Sequence, residues 1–84
     1  MVNLVYFARL REALGVNSEK VELPQGVHDV ASLTQWLRSR GSVWDNELAP
    51  GKKLRVAVNL EIAELATRVA DGDEVAFFPP VTGG

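Results

Sequence analysis

One stretch near the end of the chain decides how it folds: residues 71–84 read Asp-Gly-Asp-Glu-Val-Ala-Phe-Phe-Pro-Pro-Val-Thr-Gly-Gly. The Asp71-Gly72-Asp73 run predicts a tight turn, and the apolar and aromatic side chains after it predict a final strand over residues 74–78. Pro79 and Pro80 lack backbone donors and hold the chain extended, so the sheet should end near Pro79. The residues beyond the prolines should then project from the sheet.

Upstream of this turn, the sequence predicts two further strands joined by a short helix. Residues 2–8 are rich in β-branched and aromatic side chains and are too few for a buried helix, so they predict a strand. Residues 9–14 predict a short helix that Gly15 ends. Residues 18–23 alternate apolar and charged side chains, which is typical of a half-buried strand. These two strands should therefore pair as a hairpin with a long connection.

The longest helix is predicted to begin after Asp29, a good N-cap, and to run up to Gly41. Its buried face carries apolar side chains at helical spacing, namely Val30, Leu33, Trp36 and Leu37. Residues 42–53 predict a connection with one helical turn at residues 44–48. Residues 54–59 predict a strand with one buried face, and one short strand is expected within residues 60–70. This order predicts an α+β fold in which one main helix crosses one face of a sheet.

The other face of such a sheet has no helix to cover it, so strand alternation predicts which side chains it exposes. The side chains predicted to face the helix are Leu4, Tyr6, Val75 and Phe77. Those predicted to face away are Val5, Phe7, Ala76 and Phe78. If the first and last strands are neighbours, Phe7 and Phe78 lie together on the open face, where clustered aromatic side chains mark a binding site. A strand register shifted by one residue would instead place both in the core.

Composition restricts the size and the partners of the protein. A chain of 84 residues predicts a single domain over residues 1–84, and 46% hydrophobic with 24% charged residues is typical of a folded globular protein. A net charge of −2 gives no basic face for nucleic acid. No segment approaches the ~20 apolar residues of a membrane span, and the first residues lack the features of a secretory signal. We therefore expect a cytoplasmic protein that binds neither nucleic acid nor membranes.

The residue types available also restrict the chemistry. The absence of cysteine excludes a disulfide framework, a thiolate metal site and a cysteine nucleophile. The one histidine, His28, stands just before a helix N-cap and is predicted to face solvent rather than to bind a ligand. Asp71, Asp73 and Glu74 are predicted to serve the turn rather than a cation site. The sequence therefore predicts no metal site.

The terminal Gly83-Gly84 is the strongest functional signal in the chain. Glycine has no Cβ, so a diglycine can pass through a channel too narrow for other residues. The projecting tail, residues 79–84, could reach roughly 20 Å when extended. That length would deliver the carboxylate of Gly84 into the active site of another protein.

Three segments together carry a resemblance to a known family. They are Phe7-Ala8-Arg9-Leu10-Arg11-Glu12, Ala57-Val58-Asn59 and, above all, residues 71–84. They resemble the small, sulfur-carrying subunits of molybdopterin synthase, and the similarity spans the whole chain in length and element order. The resemblance implies the ubiquitin-like β-grasp fold, with a mixed sheet and one main helix across one face.

The resemblance also implies a reaction cycle that uses the last residue. An E1-like adenylyltransferase would consume ATP to adenylate the carboxylate of Gly84, and a sulfur-transfer system would convert it to a thiocarboxylate. The tail would then enter the large synthase subunit, where the sulfur goes to precursor Z, cyclic pyranopterin monophosphate. The catalytic acids and bases would belong to that partner, and no cofactor would be bound permanently. One carrier per large subunit in a symmetric heterotetramer is the family arrangement.

The resemblance assigns roles to individual residues of this chain. Gly84 would be the activated residue. The tail residues inserted into the large subunit would be Gly83, Thr82, Val81 and Pro80. The hydrophobic side chains that dock on the partner would be Phe7, Ile62 and Phe78.

Three other functions remain open at this point. A sulfur carrier for thiamin or for tRNA thiolation would use the same fold, tail and activation. A ubiquitin-like protein modifier would instead form isopeptide bonds with lysines. A plain interaction module would bind partners without ever being adenylated. The Phe-Phe-Pro-Pro-Val-Thr approach to the diglycine favours the molybdopterin branch.

Overall fold

The computed structural model describes residues 1–79, and within them the strands form one mixed sheet. The strands are β1 (Val2–Tyr6), β2 (Ser18–Val21), β3 (Arg55–Val58), β4 (Glu61–Ile62) and β5 (Glu74–Phe78). Their order across the sheet is β2-β1-β5-β3-β4. The central pair, β1 and β5, is parallel, and the neighbouring pairs are antiparallel. The first and last strands are therefore neighbours, which is the condition under which Phe7 and Phe78 are predicted to lie together.

The helices lie in the connections between the strands. They are α1 (Ala8–Leu14), α2 (Val30–Arg38) and α3 (Ser42–Glu47), followed by a short 3₁₀ helix at Pro50–Lys52. α1 lies in the connection between β1 and β2, which pair as the predicted hairpin. In residues 1–79, none of the helices is both long enough and apolar enough to span a membrane.

Asp29 begins α2 through a capping box, as its sequence predicts. Asp29 Oδ1 accepts a hydrogen bond from the Ser32 backbone N–H at 2.8 Å, and Ser32 Oγ accepts one from the Asp29 N–H at 3.2 Å. These bonds satisfy backbone donors that have no partner inside the helix. The hydrogen bonds from Ser32 also lower the pKa of the Asp29 carboxyl. The helix is thereby fixed at its first turn, with its apolar face on the sheet.

The core lies between the sheet and α2, and it confirms the predicted strand alternation. The sheet contributes fully buried side chains from its two central strands, namely Val2, Leu4, Tyr6, Val75 and Phe77. The helix contributes Val30, Leu33 and Leu37. The rings of Tyr6 and Phe77 stack with centroids 5.9 Å apart, and Trp44 of α3 meets Tyr6 edge-on at 5.6 Å. This arrangement confirms the predicted α+β fold with one main helix across one face.

Several element boundaries differ from the predictions. The first strand ends at Tyr6 rather than at residue 8, because the chain turns at Ala8, which has a φ of 52°, and α1 begins there. α2 ends at Arg38 rather than at Gly41. The connection predicted to hold one helical turn at residues 44–48 holds α3 and the 3₁₀ helix instead. β3 and β4 match the strand predicted over residues 54–59 and the short strand expected within residues 60–70, but their pairing as a tight hairpin is not predicted.

Candidate functional site: the open face of the sheet

The face of the sheet opposite α2 carries an apolar groove with a volume of about 440 Å³. We call it the open-face groove. Its lining residues are Val5, Phe7, Ala57, Leu60, Ile62, Glu74, Ala76 and Phe78. Among residues 1–79, Glu74 is the one ionisable side chain in this lining. The groove therefore brings together Phe7, Ile62 and Phe78, the three residues predicted to dock on a partner.

Strand register explains the shape of the groove. Val5 of β1 is aligned with Ala76 of β5, Ala76 with Ala57 of β3, and Ala57 with Ile62 of β4. Side chains in such a row share one face of the sheet. The two alanines at the centre are small, so they form a low floor between the larger side chains. The result is a depression rather than a flat surface.

Phe7 is placed by the last hydrogen bond of β1 and by the turn that follows it. Its backbone is extended, with φ −117° and ψ 155°, and its N–H donates to the Phe77 carbonyl at 3.2 Å. Ala8 then takes the left-handed conformation and turns the chain into α1. Phe7 thus continues the extended backbone of β1, and α1 does not cover its side chain. The residue is 46% exposed. Phe78, the last residue of β5, is half-buried on the same face.

The other rim of the groove is the hairpin between β3 and β4. Val58 pairs with Glu61, so Asn59 and Leu60 form a two-residue turn, and both have positive φ, 50° and 71°. This is the combination found in type I′ turns. Leu60 and Ile62 line the groove from this hairpin and are 88% and 65% exposed. Leu60 is a groove residue that the sequence does not predict, because an Asn-Gly pair, the strongest hairpin signal, is absent here.

Asn59 fixes this hairpin to the start of β5. Its backbone N–H donates to the Glu74 carbonyl at 2.8 Å, and its side-chain oxygen accepts from the Glu74 N–H at 3.0 Å. Its Nδ2 donates to Asp73 Oδ1 at 2.9 Å, while Asp73 Oδ2 accepts from the Ala70 N–H at 2.9 Å. The Asn59 amide and then the Ala70 N–H lower the pKa of Asp73. Asp73 therefore serves the turn, as its sequence predicts.

His28 and Arg9 lie outside the groove lining. The His28 side chain is exposed, and its Nδ1 lies 3.1 Å from the Gly26 carbonyl oxygen. Arg9, on α1, lies 3.6 Å from the Glu47 carboxylate of α3. Over residues 1–79, no group of three or more His, Cys, Asp or Glu side chains could hold a metal ion.

The predicted tail follows β5 in the sequence. That strand ends at Phe78, which confirms that the sheet ends near Pro79. The predicted tail residues Pro80, Val81, Thr82, Gly83 and Gly84 lie outside the described residues. Phe78, half-buried in the groove, directly precedes Pro79, the first residue of the predicted tail.

Sequence comparisons match the chain over its whole length. The profile of the ThiS family matches residues 4–84. The molybdopterin synthase sulfur carrier subunit of Haemophilus influenzae is 39% identical over 84 residues, which are all of both chains. The protein of the same name from Escherichia coli is 38% identical, also over all of both chains.

Structural comparisons agree with the sequence matches. The putative molybdopterin converting factor subunit 1 of Pyrococcus furiosus has a TM-score of 0.77 and 32% identity, covering 95% of this chain and 97% of that one. The small archaeal modifier protein SAMP1 of Haloferax volcanii has a TM-score of 0.75 and 31% identity, covering 99% and 98%. These likenesses confirm the predicted ubiquitin-like β-grasp fold.

Proposed function

The chain belongs to the ThiS family, and on that premise we propose that it is the sulfur-carrier subunit of a molybdopterin synthase. One observation carries the proposal. The open-face groove gathers Phe7, Ile62 and Phe78 at the end of the strand that continues into the Pro-Val-Thr-Gly-Gly sequence. An apolar docking surface at the end of the strand that precedes the diglycine in sequence suits a protein that binds a partner and inserts its last residues there.

The chemistry of the cycle follows from the last residue. A free carboxylate is a poor electrophile, whereas an acyl-adenylate has a good leaving group. An E1-like adenylyltransferase therefore uses ATP to activate Gly84, and a sulfur-transfer system replaces the adenylate with sulfur. The resulting thiocarboxylate is a sulfur nucleophile that needs no cysteine, and the chain contains none. ATP is a substrate of the activating enzyme, and the carrier itself keeps no permanent cofactor.

Proton transfer during the reaction is assigned to the large subunit. Among residues 1–79, the groove lining offers one ionisable side chain, Glu74, whose Oε1 accepts a hydrogen bond from Asn3 Nδ2 at 3.3 Å. A positioned acid or base has to lie within hydrogen-bond reach of the reacting atoms. The acids and bases that act on precursor Z therefore belong to the subunit that receives the tail. The carrier supplies the sulfur and the docking surface.

Phe7, Ile62 and Phe78 form that docking surface. Exposed apolar side chains that cluster on one face are typical of a protein interface, where a few aromatic anchors contribute most of the binding energy. The large subunit covers these side chains while residues 80–84 enter its active site. We place this reaction in the cytoplasm, since ATP-dependent activation requires the nucleotide pool.

Intact-mass measurement tests the proposal directly. The chain is coexpressed with an E1-like adenylyltransferase and its sulfur-transfer system, then mixed with the large subunit and precursor Z. The expected result is the mass increase that replacement of one carboxylate oxygen by sulfur gives, followed by its loss as molybdopterin forms. Thiocarboxylate that forms but yields no molybdopterin with the large subunit would assign the chain to another thiolation pathway, such as thiamin or tRNA.

The likeness to SAMP1 favours protein modification as a second candidate function. A modifier would join its Gly84 carboxylate to lysine amines through isopeptide bonds. The same coexpression distinguishes the two functions, because conjugates appear as larger species and, since Arg68 is the last basic residue of the chain, trypsin would leave residues 69–84 attached to the modified lysine. Their absence, together with molybdopterin formation, would support the sulfur-carrier function.

A further inference from the structure

The turn between β3 and β4 has a backbone conformation that does not suit one of its two residues. Leu60 has a φ of 71°, in the left-handed region that glycine and asparagine adopt more readily than residues with bulky side chains. Asn59, with a φ of 50°, is a favourable residue for its own position. A type I′ turn prefers glycine at the second position. Leucine at that position therefore stores backbone strain.

Contacts inside the chain do not explain this leucine. Its side chain is 88% exposed, so it gains little from burial in the protein. The hydrogen bonds that hold the turn come from Asn59, through its backbone and its amide, to Asp73 and Glu74. An Asn-Gly turn could make the same bonds without the strain. The leucine side chain is therefore retained at a cost to the isolated protein.

Unfavourable positive φ occurs at Leu60, which lines the open-face groove, and at Ala8, which directly follows the groove residue Phe7. Among residues 1–79, the non-glycine residues with positive φ are Ala8, Lys53, Asn59 and Leu60. Ala8 directly follows Phe7 on one rim, and Asn59 with Leu60 forms the opposite rim. Strained backbone persists where the surrounding structure enforces it and is concentrated at functional sites. The groove is therefore bordered on two sides by conformations that present apolar side chains to solvent.

We propose that Leu60 is a partner-contact residue, held out by its strained turn to bind an apolar part of the large synthase subunit. This inference rests on the proposed function. Leu60 shares the groove with Ile62, Phe7 and Phe78, so it extends the same docking surface toward the β4 edge. The near absence of ionisable side chains in the groove selects an apolar partner surface. Burial of the Leu60 side chain in the complex would offset the backbone strain, which no contact among residues 1–79 offsets in the isolated chain.

Two substitutions of Leu60 test the role of its side chain separately from the strain of its backbone. Leu60→Gly and Leu60→Asn both accept a positive φ while removing the apolar side chain. The expected result is an unchanged or higher midpoint of thermal unfolding, together with an affinity for the cognate large subunit weakened about tenfold or more by titration calorimetry. Leu60→Met, which keeps an apolar side chain, should bind within about threefold of wild type.

Leu65 provides the matched control, because it is also an exposed leucine, at 68%, but does not line the groove. Its carbonyl instead accepts a hydrogen bond from the N–H of Ala31 in α2. Leu65→Ala should leave the affinity unchanged. Wild-type affinity in both Leu60→Gly and Leu60→Asn would overturn the inference, while weaker binding by Phe78→Ala would leave the proposed function intact. A lower thermal midpoint in both variants would assign Leu60 to the fold and also overturn it. Failure of the wild-type chain to bind would overturn both proposals.

Discussion

Arg40 donates a hydrogen bond from Nη1 to Glu19 Oε2 at 2.7 Å, and this ion pair joins the turn that follows α2 to the edge strand β2. Glu19 Oε2 also accepts the Tyr6 hydroxyl of β1 at 2.9 Å. The Arg40 guanidinium lies 4.8 Å from the ring of Trp36 and 4.7 Å from the ring of Trp44. A single cation therefore connects two strands and two helices, away from the open-face groove.

We expect Arg40→Ala to lower the free energy of unfolding by about 1–3 kcal/mol, because it removes two ring contacts and leaves Glu19 without its charged partner. Arg38→Ala is the matched control, since Arg38 pairs with Asp45 at 2.9 Å in a more exposed position. That pair should contribute about 1 kcal/mol or less. Urea denaturation measures both variants. Equal losses in the two would show that Arg40 has no special part in joining the layers.

The same ion pair predicts a dependence of stability on pH. Burial alone raises the pKa of Glu19, but hydrogen bonds from Arg40 and Tyr6 and the charge of Arg40 outweigh it, so the pKa lies below its ordinary value of 4.5. Stability from such a carboxylate is complete above the unfolded pKa and is lost as pH falls through the folded pKa. The free energy of unfolding should therefore decrease as pH falls below 4.5.

Glu19→Gln should reduce this loss of stability at acidic pH. The measurement is the denaturant midpoint of unfolding, compared between wild type and variant from neutral to acidic pH. The substitution should not remove the loss entirely. The pKa values of Asp29 and Asp73 are also lowered, through hydrogen bonds from Ser32 and Asn59 respectively. An unchanged loss of stability at acidic pH in Glu19→Gln would mean that the Glu19 carboxylate contributes nothing to acid unfolding.

Substitution of the two adjacent phenylalanines of β5 should distinguish an effect on stability from an effect on partner binding. Phe77 is fully buried against α2 and stacks on Tyr6, so Phe77→Ala should cost about 3–5 kcal/mol of stability. Phe78 lies on the open face, so Phe78→Ala should cost less stability and weaken binding to the large subunit by about 1–3 kcal/mol. Phe7→Ala should behave like Phe78→Ala. Thermal melts and titration calorimetry on the three variants test this contrast, and the reverse ranking would contradict it.

This contrast was predictable from sequence because β1 and β5 are regular strands whose apolar side chains alternate clearly. The pairing of Asn3 to Tyr6 with Glu74 to Phe77 then places Phe7 and Phe78 on the same face. Local pattern is informative here because each strand is five residues long and one of its faces is fully buried.

Local pattern fails where geometry depends on distant residues or on an unusual turn. β4 has two residues, both exposed, so no alternation marks it, and Ile62 is predicted only through the family resemblance. Leu60 occupies a turn position where glycine is the expected signal. α3 begins after Gly41 without a side-chain cap, so its start has no sequence marker. The Arg40 to Glu19 pair joins residues 21 positions apart, which no short-range period encodes.

Removal of the last residue should separate chemistry from folding. Deletion of Gly84, or extension of the chain beyond it, should abolish sulfur transfer because the reactive carbonyl belongs to that residue under the proposed function. The thermal midpoint should stay within a few degrees of wild type, since chain termini outside the core tolerate change. Precursor Z conversion with the large subunit is the assay. A truncated chain that still made molybdopterin at the normal rate would contradict the role of Gly84.

Gly83→Val tests whether the width of the tail matters. A β-branched side chain restricts the backbone and adds bulk that a narrow channel cannot accept, whereas the core and the open-face groove described over residues 1–79 are formed by other side chains. The affinity for the large subunit should therefore be retained. Product formation should fall by about 100-fold or more, because a misplacement of about 1 Å at a reacting group has an effect of that size.

The measurement has to exclude a defect in activation. The thiocarboxylate of Gly83→Val is made semisynthetically, so the activating enzyme is bypassed, and single-turnover product formation is compared with affinity on the same preparation. Gly83→Ala, which adds only a Cβ, should give an intermediate rate if width is the limiting factor. Wild-type turnover by the valine variant would show that threading does not require glycine, and the need for Gly83 would then have to lie in recognition by the activating enzyme.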